Sequence, residues 1–477
     1  MFKRKERLIT STDMTMGNPY KLIFLFSIPL LIGNVFQQLY NMVDSIVVGN
    51  YVGEKALAAV GTGFPIIFML SSLFIGIGMG ATIMVSQYYG AKDMKQIQDT
   101  IGTMYTALLI GVVPLTFLGI VLSKPLLQLI NVPDDGTLKM ATQYMIIIFI
   151  GMIFNLGFNI NASILQGLGD SKTSLLFLLV ACIVNIVLDI VFTVFWGWGV
   201  IGVAIATIIA QLCSWVFGIY FINKHYDFIQ INPFKFYFRK DLFLQAMKLG
   251  IPAGIQQALF SIGSMFMLSL VNSYGFEFMA GFSGANKIDT FAFMPIQSFS
   301  IAVTTYVGQN IGANQINRVK LGMRASLVLS IGTSIGIGAI IYPLSGILMR
   351  MFGNNPKMID AGVSYLHQLL PFYSLLAILF IYNSVLRGAG ESIIPMISSV
   401  VSLWALRIPT AYLLAHFLGS DYIYFSYVIG WAAGIIVSLI YYKTGKWKKK
   451  SIIKNRGISV ELQKNTEVQK TPNEITE

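Results

Sequence analysis

Apolar runs of bilayer-spanning length follow one another along almost the whole chain. They lie near 22–49, 58–85, 100–123, 138–163, 173–196 and 199–222, then near 246–272, 280–306, 322–349, 361–386, 395–418 and 422–442. A helix needs about 20 such residues to cross the hydrocarbon. A lipid-embedded backbone must satisfy its own hydrogen bonds, which leaves only helices and closed barrels. Runs this long and unbroken read as helices. The expected fold is therefore an all-α polytopic membrane protein with twelve transmembrane helices. Composition agrees: 11% of the residues are charged, against roughly 25% in soluble domains, too few to cover a water-facing surface.

The net charge of +12 is distributed in a way that excludes nucleic acid as its reason. Of the 33 Lys and Arg, 26 fall in the amino terminus, the even-numbered connections with the span ends beside them, and the tail after Tyr442. Five fall on the opposite side (Lys55, Lys124, Lys139, Arg350, Lys357), and Lys287 and Arg407 lie within spans. The positive-inside rule then places both termini in the cytoplasm. The start, MFKRKERLITSTDM, lacks the apolar core of a cleaved signal peptide. The basic stretch KTGKWKKKSIIKNRG is suited to anionic headgroups, and the polar remainder is expected to be disordered. Cys182 and Cys213 sit in apolar runs with no CxxC or Cys/His cluster, so neither a disulfide framework nor a metal motif is expected.

The two sets of six runs repeat each other. Residues 26–61 lie over 249–284 without a gap, pairing Pro29 with Pro252, Glu54 with Glu277 and Gly61 with Gly284. SQYYGAKD (86–93) then corresponds to VGQNIGANQ (307–315), and QGLGDS (166–171) to the RGAGES of 387–392. With six spans per half, the halves have the same orientation, a parallel repeat about an axis along the membrane normal. The expected organisation is an N-terminal segment 1–21, a six-helix lobe 22–222, a linker 223–245, a second six-helix lobe 246–442 and a tail 443–477. Pro29 and Pro252 are expected to bend their helices, since each removes a backbone N–H.

Acids within the hydrocarbon are the sharpest chemical signal, costing about 2.5–3.5 kcal/mol each on the lenient scale. The first half has Asp44 and Asp189. At 1.5 Å per residue they lie about 33 Å and 24 Å along their spans from the inner ends, and Thr207 reaches a similar level. Asn185 is one turn from Asp189 on the same face. Two carboxylates, an amide and a hydroxyl at one depth supply oxygen ligands for a proton or a dehydrated Na⁺. In the second half, Lys287, Asp289 and Arg407 read as a structural ion network. Gln37, Tyr40 and Asn159 are the candidate substrate contacts, each polar at cavity depth.

Pro29 with Asp44 fifteen residues later, the glycine turn after the second span and its repeat, GLGDS and GAGES before spans five and eleven, and NIVLD in span five occur together. In that order and spacing the sequence resembles the multidrug and toxic compound extrusion (MATE) family over roughly residues 18–445. The resemblance implies a cation-coupled exporter of cationic or amphipathic organic compounds, working by rocking of two six-helix lobes. It also carries the family's amino-lobe cation site onto Asp44, Asn185, Asp189 and Thr207. It departs from one branch of the family in the carboxyl lobe, where spans seven and ten hold no acid.

No GxxxxGK[ST] loop and no Ser/His/Asp arrangement is visible, so neither an ATP-driven pump nor an enzyme is expected. No cofactor is expected beyond the coupling ion, H⁺ or Na⁺. The expected partners are small organic cations or drugs and membrane lipid, with no nucleic acid, and one chain holds a complete two-lobe unit. The rival reading is a lipid-linked or polysaccharide flippase. Two basic against three acidic residues within the spans favour cationic cargo.

Overall fold

A computed structural model describes residues 11–453; residues 1–10 of the expected N-terminal segment, the end of the basic stretch and the whole of the expected disordered remainder lie outside them. No strand occurs among the described residues. The first lobe comprises α1 (Pro19–Val47), α2 (Glu54–Gly90), α3 (Met94–Leu129), α4 (Thr137–Ile150), α5 (Met152–Gly167), α6 (Ser171–Asp189) and α7 (Gly199–His225). The second comprises α8 (Lys240–Asn272), α9 (Phe276–Gly312), α10 (Ile316–Arg350), α11 (Pro356–Leu369), α12 (Tyr373–Gly388), α13 (Ile393–Val400), α14 (Ile408–Phe417) and α15 (Phe425–Lys443).

With α11 and α12 taken together, and α13 with α14, ten segments are long and apolar enough to cross a membrane, and α4 with α5 makes an eleventh. The twelfth is α9, 37 residues long, whose apolar character is diluted by Glu277, Lys287 and Asp289. It is the repeat partner of α2, also 37 residues. Both begin after a glycine of positive φ, Gly53 and Gly275, a conformation that other residues adopt at a cost.

The fourth span is not the straight helix the apolar run predicts. α4 and α5 meet at an angle of 52° around Gly151, where an added Cβ would sit 2.2 Å from the Ile208 side chain. The neighbouring helix occupies the place a side chain would fill. The tenth span runs through Pro356–Gly388 and only tightens into a 3₁₀ turn at Leu370–Phe372, which contains Pro371. α1 and α8 run as helices through Pro29 and Pro252.

The lobes meet along glycine contacts. An added Cβ at Gly76 of α2 would lie 2.4 Å from the Gly250 carbonyl of α8, and Gly254 faces Leu73 in the same seam. Small residues let membrane helices approach this closely. On the face where the described residues begin and end, called the termini face below, the seam is sealed by a pair of crossed glutamines. Gln87 of α2 donates to the Gly388 carbonyl at 2.9 Å, and Gln309 of α9 donates to the Gly167 carbonyl at 3.2 Å. These are repeat-equivalent residues, so the closure has the same twofold character as the sequence.

The segments at residues 12–14 and 450–452 strap this closure. Thr12 N donates to the Gly169 carbonyl of the first lobe, while Met14 N donates to Gln309 Oε1 of the second. At the other end Ile452 N donates to Gln87 Oε1, and Lys450 pairs with Glu391 at 2.8 Å. Burial pushes the Glu391 carboxyl up, but Lys450, the Tyr441 hydroxyl and the Ile393 amide outweigh it and hold the group below the ordinary glutamate range. A depressed carboxylate contributes stability above its unfolded pKa and loses it as pH falls through the folded value. Glu391→Gln is therefore expected to speed hydrogen exchange of the 447–453 segment at neutral pH. Acidification of the unaltered chain is expected to act the same way, after correction for intrinsic rates; exchange unchanged by either treatment would show the pair to be unimportant for the strap.

Candidate functional site

The site is built from three helices of the first lobe. α1 carries a polar stripe, Asn34, Gln37, Tyr40 and Asp44, at spacings of three and four residues, so all four lie along one side of the helix. α6 presents Asn185 and, one turn on, Asp189 at its end. The Asp170 carboxylate caps the other end of α6, accepting from Thr173 N at 2.9 Å. α7 brings Thr207, whose hydroxyl donates to the Val203 carbonyl one turn back.

Behind each acid the helix widens into a π turn, Val48–Val52 after Asp44 and Ile190–Phe195 after Asp189. Such turns leave carbonyls out of the regular ladder and are frequent at functional positions.

The structure brings the four expected coupling residues together. Asp189, Asn185 and Thr207 are 0%, 1% and 8% exposed, while Asp44 is partly buried. One end of the Asn185 amide lies 2.9 Å from Asp44 Oδ1 and 3.1 Å from Asp189 Oδ2; the other end lies 3.4 Å from Thr207 Oγ1. Carboxylates only accept when ionised, so the hydrogen-bond pattern puts the amide nitrogen toward the acids and its oxygen toward Thr207. The two carboxyl groups are themselves within hydrogen-bonding reach of each other, and the Tyr40 hydroxyl reaches Asp44 and Thr207. Asp189 Oδ1 is buried with no partner. Two like charges in contact at an apolar depth repel, and a proton or cation held between them removes that repulsion.

This cluster forms one wall of a cavity of about 220 Å³. Asn185 and Thr207 line the cavity directly, as do the expected substrate residues Gln37, Tyr40 and Asn159. Five further polar residues, Asn34, Asn155, Gln166, Ser174 and Gln211, line it and are not among the residues the sequence reading proposes. For Asn155 and Asn34 the signal is their recurrence with Asn159 and Gln37 at helical spacing. Pro29 is also in the wall, and Ile301 closes it from the second lobe. A second cavity of about 200 Å³ lies between α3 and the inter-lobe connection. Its polar groups satisfy one another: Arg239 pairs with Asp99 at 3.1 Å, and Gln98 exchanges hydrogen bonds with the Gln230 backbone. It is the seat on which the connection docks.

Among the described residues no group of three His, Cys, Asp or Glu side chains comes together as a metal site. A cation at Asp44 and Asp189 would therefore rely on neutral oxygens to complete its shell.

The expected ion network of the second lobe is rearranged. Lys287 makes no ion pair with Asp289; it is exposed, with its ammonium 5.7 Å from the centre of the Phe352 ring. Residues two apart on a helix face different directions. Asp289 instead lies beside Tyr365 and near Arg407, and the Arg407 guanidinium stacks 3.2 Å from the Tyr427 ring centre.

Arg387 is a further departure. The apolar run puts it in the connection after span ten, but α12 continues through it to Gly388, and its guanidinium bonds within the lobe.

The sequence profile of the MatE family matches this chain twice, over residues 29–191 and 252–413. The chain is 30% identical over 439 residues to a Bacillus subtilis protein described as probable multidrug resistance protein YpnP, covering 91% of this chain and 97% of that one. It is 28% identical to a probable multidrug resistance protein NorM of Thermotoga maritima, covering 91% and 94%. Its fold is similar to that of an outward-facing MATE family transporter, with a TM-score of 0.84 at 24% identity, over 91% of this chain and 98% of that one. A MATE protein solved in complex with MaL6 gives a TM-score of 0.85 at 24% identity, over 92% and 99%.

Proposed function

The chain belongs to the multidrug and toxic compound extrusion family, and from that premise we propose that it is a proton-coupled antiporter exporting cationic or amphipathic organic compounds. Membership makes it an integral membrane transporter; the coupling, the ion and the cargo are our reading. The observation that carries it is the Asp44–Asn185–Asp189 contact behind the wall of a cavity that also holds Gln37, Tyr40 and Asn159.

When both acids are ionised, the cavity presents negative charge and aromatic surface to an organic cation. When a proton enters between them, that charge falls and the hold on the cation weakens. In the orientation the hydrogen-bond pattern requires, the Asn185 nitrogen donates to both carboxylates and so offers no lone pair to a Na⁺ beside them. That favours the proton over Na⁺. The termini face, sealed by Gln87 and Gln309, would lie in the cytoplasm of the bacterial inner membrane, as the Lys and Arg excess suggests. Loss of the crossed glutamine bonds would open that side while the opposite side closes. A single chain supplies both lobes, so a monomer suffices.

The test uses proteoliposomes containing the full chain and a fluorescent organic cation, with pH and Na⁺ gradients imposed separately. A pH gradient is expected to drive export above that of protein-free vesicles, and a Na⁺ gradient is not. Export driven by Na⁺ alone would replace the proton reading, and flux under neither gradient would overturn antiport.

A further inference from the structure

Arg387 lies in the last turn of α12, and its surroundings do not neutralise it. One guanidinium nitrogen donates to Gln256 Oε1 of α8 at 2.6 Å, and the Gln256 amide donates in turn to Ser399 Oγ of α13. Nε is buried and has no partner. Among the described residues no carboxylate pairs with Arg387. The nearest candidate by sequence, Glu391, is committed to Lys450, Tyr441 and Ile393. A guanidinium desolvated without a counter-charge is costly, and such groups are retained in membranes at substrate and ion pathways.

The repeat shows where this cation stands. Overlaying QGLGDS on RGAGES pairs Arg387 with Gln166. The same repeat pairs Gln256 with Gly33 and Ser399 with Leu178. Gln166, Gly33 and Leu178 all line the first-lobe cavity. Arg387, Gln256 and Ser399 are therefore the second lobe's equivalents of three cavity-wall positions, and all three are partly exposed. Where the first lobe has acids behind its wall, the second has a fixed positive charge flanked by an amide and a hydroxyl. Asp44 and Asp189 have Met267 and Thr410 as their counterparts, so the second lobe holds nothing at those positions to cancel it.

We propose that Arg387, oriented by Gln256 and Ser399, is an anion-accepting subsite that takes a carboxylate or phosphate carried by an amphipathic substrate. The guanidinium fork matches such groups geometrically. Cargo with charges of both signs is then held from both lobes, its cationic end toward the first and its anionic end toward the second. The inference rests on the export reading for what the cargo is. The binding measurement does not depend on export.

The test uses a rhodamine with a free carboxylate and its methyl ester, which differ only in that anion. Binding to the purified full chain is read by fluorescence anisotropy in detergent free of phospholipid, and export is read in proteoliposomes. Arg387→Gln is expected to lower the ratio of carboxylate to ester affinity by about tenfold or more, the scale of one charge-assisted hydrogen bond. Arg387→Lys, which keeps the charge, is expected to retain most of that ratio and so controls for folding. An unchanged ratio in Arg387→Gln would overturn the proposal, as would equal loss of both probes in Arg387→Gln and Arg387→Lys. A change in the ratio seen only after phosphatidylglycerol is added would assign the site to lipid headgroups and overturn the substrate reading. If export fails for both probes in the unaltered chain while anisotropy still separates them, the transport reading fails and the subsite stands.

Discussion

Asp44→Asn is expected to reduce gradient-driven export by about 100-fold or more, with the protein still folding and inserting, because the substitution removes a transition that no neighbour can supply. Asparagine has the shape of the protonated acid, so the contact with Asn185 and Tyr40 persists sterically. It cannot change charge, and the site is locked in the form that holds a cation weakly. Asp189→Asn is expected to have an effect of the same order. The double substitution is expected to be no worse than either single one, since the two carboxyl groups share one contact and act as a unit. Thr207→Val is expected to cost only a few-fold, its hydroxyl being already engaged by the Val203 carbonyl. Proteoliposome flux at fixed pH gradient checks all four. Near-normal export by Asp44→Asn, with protein levels equal, would remove the acid pair from the mechanism.

The second large effect concerns the closure rather than the site. An added Cβ at Gly90 would lie 1.9 Å from the Gln309 carbonyl oxygen, and one at Gly312 lies 1.9 Å from the Gln87 carbonyl oxygen. The obstacle in both cases is backbone of the opposite lobe, which cannot turn away as a side chain can. Gly90→Ala and Gly312→Ala must therefore spread the lobes on the termini face. Overpacking of this kind costs about 1–3 kcal/mol, enough to shift a two-state equilibrium by roughly 5–150-fold. The expected result is faster hydrogen exchange in the 86–93 and 307–315 segments of the variant in nanodiscs, together with slowed export. The two alanines are expected to act alike because the contacts are repeat-equivalent. Unchanged exchange in both variants would mean that this seam does not move during transport.

Much of this architecture is visible in the sequence because membrane solvent writes itself plainly. A span must be apolar for its whole length, so the runs mark the helices, and the constant offset between Pro29 and Pro252 marks the lobes. Asp44 and Asp189 stand out for the same reason: an acid at that depth is too costly to be incidental. What escapes is set by contacts between segments distant in the chain. The break at Gly151 depends on Ile208 pressing into it from α7, and nothing beside Gly151 announces that neighbour. Lys287 and Asp289 looked paired because they are close in sequence, whereas a helix turns them apart. Arg387 was missed because the apolar run stops just before it. The helix continues past that limit, and the residue's place is recovered only by laying RGAGES over QGLGDS. The crossed bonds of Gln87 and Gln309 were likewise implicit in the repeated glycine turns, but which lobe each amide reaches is a fact of packing alone.

The central claim is that the organic cation and the proton compete through Asp44 and Asp189. It is tested most directly by adding a fluorescent organic cation to the purified full chain in weakly buffered detergent and recording proton release with a pH indicator. The account predicts release that saturates with binding and disappears in Asp44→Asn. Binding of the cation by the unaltered chain with no proton released would contradict it.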